Sequence, residues 1–225
     1  MKESMIAAVI AALVIGGGAG YLIGNSSSED NETSASIDSS LVENGTTTSP
    51  AAGLRVALNN ALREHVNIAG VALRNVFVEA PDTEAAVASL DANSVKVAGL
   101  IGSVYGDQAG EDFLELWRSH ITFFANYTAA AREGDSEGME QAKEDLAGYG
   151  KAASEFFAGA NPNLPAEAVK PLLEEHRDLV IATIDLIGAG DFDAAYVKLA
   201  EAADQVGTIG DALAGGIEKQ FPEMY

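Results

Sequence analysis

The chain has 225 residues, with 13 lysines and arginines against 34 aspartates and glutamates, and a formal net charge of -21. That balance excludes a nucleic-acid binder, which needs clustered basic residues to neutralise phosphates. Cysteine is absent, which also excludes disulfides, thiol nucleophiles and cysteine-based zinc or iron–sulfur sites.

The first predicted element is an uncharged run from Met5 to Gly24. As a helix it spans about 30 Å, the thickness of a bilayer core. Lys2 precedes the run, and no Lys or Arg follows it before Arg55. This bias predicts a single-pass anchor in the cell membrane over residues 1–24, with the body extracytoplasmic. The alternative is a cleaved signal peptide, whose apolar region is ordinarily shorter, about 7–15 residues. Gly16, Gly20 and Gly24 form a small-xxx-small stripe, a pattern that lets two membrane helices approach closely. Residues 25–50 are dominated by Ser, Thr, Asn and acids. They cannot bury a core and are predicted to be a flexible tether. Three glycosylation sequons, at Asn25, Asn31 and Asn44, suit an exposed location.

From residue 51 to 225 the apolar period is helical. Leu58, Leu62, His65, Ala69, Ala72 and Val76 fall at steps of three and four, as do Phe113, Trp117, His120, Phe124 and Tyr127. Val169, Leu173, His176, Val180 and Ile184 repeat the pattern. Each stripe is followed by a turn and an aspartate, Asp82, Asp135 or Asp191, placed to cap a returning helix. Gly134 and Gly190 suit the close of the preceding helix. Breakers at Tyr105–Gly110 and Ala160–Pro165 join one hairpin to the next. No segment sustains period-two alternation. The prediction is an all-α domain of three helical hairpins, a six-helix bundle-like repeat.

The histidines mark the repeat. His65, His120 and His176 are the only three in the chain and stand 55 and 56 residues apart, a spacing typical of duplicated helical pairs. Helices one, three and five then run in the same direction and bring the imidazoles to one level. Fourteen residues after each turn aspartate come Lys96, Tyr149 and Gln205. These positions are predicted to share a polar layer with the histidines. Three neutral imidazoles suit zinc or copper. The competing reading is that duplication simply copied a buried, hydrogen-bonded histidine. Lys96 argues against a metal unless its amine reaches away to solvent. No protease, hydrolase or nucleotide-binding motif is present, and Leu62, Trp117 and Leu173 stand where a di-iron bundle would place glutamates.

Several stretches carry a resemblance: Leu90-Asp-Ala-Asn-Ser-Val, Ile101-Gly-Ser-Val-Tyr-Gly106, Phe113-Leu-Glu-Leu-Trp-Arg-Ser-His120-Ile and Gln220-Phe-Pro222. The chain resembles a family of secreted or membrane-anchored bacterial all-helical proteins over nearly all of residues 54–225. The resemblance implies an extracytoplasmic helical domain with no settled activity. It adds Asn93 and Tyr105-Gly106 to the three histidines as family positions. Where this chain has Lys96 and Gln205-Val206, relatives carry Asp and His-Met, so possible ligands are missing here.

Taken together, the sequence predicts a membrane-anchored, non-enzymatic binding or interaction module with a membrane or cell-surface protein as partner. The alternative is a zinc- or copper-binding protein using His65, His120 and His176, with metal-dependent hydrolysis as a more distant third.

Overall fold

The structure is a computed structural model that describes residues 49–225; the expected membrane segment at 5–24 and nearly all of the expected tether at 25–50 lie outside the described residues. Ser49 starts the first helix. Its hydroxyl accepts a hydrogen bond from the Ala52 N–H at 3.2 Å, and Pro50 occupies the first helical position, where no backbone donor is needed. Six helices follow: α1 Pro50–Val78, α2 Thr83–Tyr105, α3 Asp107–Glu133, α4 Ser136–Ala160, α5 Ala166–Ala189 and α6 Phe192–Gln220. Among the described residues there is no strand, and no helix is long and apolar enough to cross a membrane.

The turns follow the predicted chemistry in two hairpins out of three. Gly134 and Gly190 close α3 and α5 in the left-handed conformation, at φ 70° and 75°. The Asp135 and Asp191 carboxylates accept from the N–H groups of Gly138 and Ala194 at 3.0 and 3.1 Å. The first hairpin differs. Glu79 takes the left-handed position at φ 54°, and the expected Asp82 cap does not form. The Thr83 hydroxyl instead donates to the Ala80 carbonyl at 2.6 Å. A Cβ in the left-handed region costs roughly 1–2 kcal/mol. Gly134→Ala is therefore expected to lower unfolding free energy by about that amount in a urea titration, while Glu133→Ala, beside it at ordinary helical φ, stays near wild type.

The connection expected over Tyr105–Gly110 contracts to one residue. Gly106, at φ 95°, makes the whole corner between α2 and α3. The helices meet so closely there that a Cβ on Gly110 would lie 3.0 Å from the Gly102 Cα. The Ala160–Pro165 connection forms as predicted. Buried Asn161 accepts the Asn163 N–H at 2.8 Å and donates to the Tyr105 hydroxyl at 3.0 Å.

Each helix packs on its neighbours in sequence, and α6 packs on α1, so the three hairpins close into a ring. Arg55 and Asn59 of α1 both reach Asp211 of α6 at 3.0 Å across that closing seam. Helices α1, α3 and α5 also touch one another across the middle. They run in parallel: Arg132 of α3 meets Glu79, just past the end of α1, at 2.9 Å, and Tyr127 of α3 donates to Asp185 of α5 at 2.7 Å. Their apolar stripes, with the even helices packed around them, form one continuous core.

Candidate functional site

The three inner helices each contribute one histidine at the same level. His65 on α1 and His120 on α3 are buried, and His176 on α5 is partly buried. Parallel helices with near-equal repeat lengths account for the alignment. The Nε2 atoms of His65 and His120 face each other at 3.4 Å, beyond the usual 2.7–3.2 Å of a hydrogen bond from nitrogen. The Trp117 ring stands edge-on to both imidazoles, with centroids 4.8 Å from His65 and 4.6 Å from His120. Tyr149, on α4, stacks on His120 at 4.7 Å and 29°.

Burial holds these imidazoles neutral. It lowers His65 to about 3 and His176 to about 4, and it pulls His120 well below its ordinary value. Neighbouring imidazoles add to the effect at His65 and His120. Three acceptors oppose it: the Asn93 amide beside His65, the Gln205 amide beside His176, and the Trp117 backbone beside His120. Burial also raises the Tyr149 phenol.

The two amides are held in the same way. Asn93 donates to the Ala61 carbonyl at 3.0 Å, and Gln205 donates to the Leu172 carbonyl at 2.8 Å. Ala61 and Leu172 each lie four residues before their histidine. With the NH₂ end pinned, each amide presents its oxygen to the imidazole. Asn93 Oδ1, Gln205 Oε1 and the Nδ1 atoms of His65 and His176 all lack a partner within hydrogen-bonding geometry. They form complementary donor–acceptor pairs, and closing each pair would place the ring proton on Nδ1 and leave Nε2 free.

The structure brings together His65, His120, His176, Asn93, Tyr149 and Gln205, but not Lys96. The Lys96 amine is exposed and sits 2.6 Å from the Glu64 carboxylate. The reason is the first turn, which places Asp82 17 residues after its histidine where the other two hairpins have 15. Counting from the turn aspartate overshoots the layer; counting from the histidine lands beside Asn93. Trp117, which sequence patterning assigns to the core, is part of the site. Its signal was its place three residues before His120, on the same helix face.

Two small cavities flank the histidines, and all three imidazoles line both. One, of about 40 Å³, is walled by Leu58, Ile101, Phe113, Trp117, Leu146 and Tyr149. The other, of about 30 Å³, is walled by Val66, Leu73, Leu90, Ile121, Val180 and Ile184. Among the described residues, no group of three His, Asp or Glu side chains is arranged so that it could hold a metal ion. Comparison with protein-family models, with curated proteins and with solved structures finds no match to this chain.

Proposed function

We propose that the helical domain is a non-enzymatic binding module, held outside the cell membrane by the segment at 5–24, and that it binds a transition-metal ion through His65, His120 and His176. The observation that carries this reading is the 3.4 Å between the two facing Nε2 atoms. Metal–nitrogen bonds of about 2.0–2.1 Å at trigonal or tetrahedral angles put neighbouring ligand nitrogens about 3.3–3.6 Å apart. The reading requires the partly buried His176 side chain, which lines the same cavities, to rotate and supply the third nitrogen. The Asn93 and Gln205 oxygens serve as the acceptors that orient metal-bound imidazoles. Lys96 raises no electrostatic objection, because its charge is spent on Glu64 at the surface.

Charge selects the ion. The three ligands are neutral and their surroundings are apolar. Burial cost rises with the square of the charge, so a dication costs about four times as much as a monocation. Copper(I) therefore fits better than zinc(II), which would need to bring a hydroxide with it.

The test is a titration of the full-length, untagged protein against a chromogenic copper(I) chelator under reducing conditions. One copper per chain is expected. His120→Ala should weaken binding by at least about 100-fold, the upper range for losing even an outer partner of a metal ligand. Lys96→Ala should bind as wild type does. Failure to withdraw copper from the chelator defeats the reading, and equal affinity for zinc defeats the charge argument.

A further inference from the structure

Beyond the metal, we propose that the 40 Å³ cavity on the Trp117 side of the histidine layer is a binding site for a small uncharged molecule of diatomic-gas size, entered between α4 and α5. Three observations lead there. First, the space suits the ligand: the volume is about 40 Å³, where a single water-sized sphere needs about 10–15 Å³. Leu58, Ile101, Phe113 and Leu146 give it an apolar wall, the kind that stays dry and accepts gases such as xenon.

Second, the cavity has a way in. Its lining includes Tyr149 and Gly150 on α4, and Glu174 and Arg177 on α5. Arg177 also lines an open surface groove of about 370 Å³, together with Lys143, Ile181 and Asp185. Arg177 is thus common to the cavity and the groove, and its guanidinium lies 2.7 Å from the carboxylate of its neighbour Asp178. The 30 Å³ cavity beyond the histidines shares no lining residue with this groove.

Third, the lining includes an unpartnered polar group suited to one small guest. The indole Nε1–H of Trp117 is buried without a partner, and Trp117 lines the cavity together with His65 and His120. An apolar body with one weak acceptor end matches this lining. The site needs no metal to exist, so it can be tested in the metal-free protein and its outcome is separate from the copper titration.

The probe is xenon, read by methyl spectra of the metal-free, full-length protein. Saturable shifts are expected at Leu58, Ile101 and Leu146. Gly150 supplies the decisive variant. A Cβ there meets nothing within 4 Å, so Gly150→Leu should fill the cavity without disturbing the backbone and abolish these shifts. Arg177→Ala should speed xenon exchange at least several-fold and leave the saturation level unchanged. The proposal is overturned if the wild-type protein shows no saturable shift, if Gly150→Leu responds as wild type does, or if a long-lived water occupies the position beside the Trp117 indole N–H.

Discussion

Between pH 6 and pH 4.5 the metal-free protein is expected to lose unfolding free energy steeply, approaching about 4 kcal/mol per pH unit. Each histidine that is neutral when folded and protonated when unfolded contributes about 1.4 kcal/mol per pH unit. The sign follows from the direction of the shifts. His65 is lowered to about 3, His176 to about 4 and His120 well below its ordinary value of 6.5. Well above pH 6.5 both states are neutral and the histidines add no slope. Below it the unfolded chain takes up protons that the folded core refuses, and stability falls until His176 and His65 themselves titrate in the folded state, near pH 4 and pH 3. Glu64, hydrogen-bonded by Lys96, and Asp211, hydrogen-bonded by Asn59 and Arg55, are both lowered, so what they contribute is lost further down the scale. Urea titrations at pH 7, 6, 5.5 and 5 measure the slope. His65→Leu should remove about a third of it. Stability that stays level from pH 7 to pH 5 would mean that the imidazoles take up protons in the folded state. Copper(I) at saturating concentration should steepen the loss, because a bound imidazole must stay unprotonated.

Phe113→Ala is expected to cost about 3–5 kcal/mol, the range for truncating a buried aromatic side chain. Phe113 is 1% exposed. Its ring packs on Trp117 at 5.4 Å and on both Phe156 and Phe157 at 5.6 Å, tying α3 to α4. The same ring lines the 40 Å³ cavity, so its removal enlarges a void already present and leaves little chance of collapse around it. The effect should reach the site, because Phe113 buttresses the indole that packs edge-on against His65 and His120. Phe113→Leu keeps most of the volume and should cost less than about 1.5 kcal/mol. Chemical denaturation gives both values, and the near-ultraviolet signal of Trp117, the single tryptophan of the chain, reports whether the indole keeps its place. A cost below about 1 kcal/mol for the alanine variant would contradict the tight packing of this cluster.

Much of this architecture was legible in the residues. The three- and four-residue stripes named six helices, Gly134 and Gly190 marked two turns, and the matched frames around His65, His120 and His176 showed that the histidines share a level. These features are local. A helix stripe repeats every 3.6 residues, and a left-handed turn asks for glycine whatever surrounds it. The first hairpin was misread where its local chemistry departs from the other two. Glu79 replaces the turn glycine, Asp82 does not cap, and the layer position shifts from Lys96 to Asn93. The corner at Gly106 was also tighter than its composition implied, because Asp107 to Gly110 enter α3 once Gly102 and Gly110 let the two backbones close.

The sequence by itself thus determined an all-helical domain, a threefold repeat and three imidazoles on matching faces. Whether the hairpins stack in a row or close into a ring depends on α6 meeting α1, a contact between residues more than 150 positions apart that no local period encodes. Closure is what turned three matching faces into one interior. It drove the imidazoles neutral by removing water, set His65 against His120 at 3.4 Å, and packed Trp117 edge-on against both. It also left cavities on both sides of the layer, because the side chains of six converging helices do not completely fill the space around three rings.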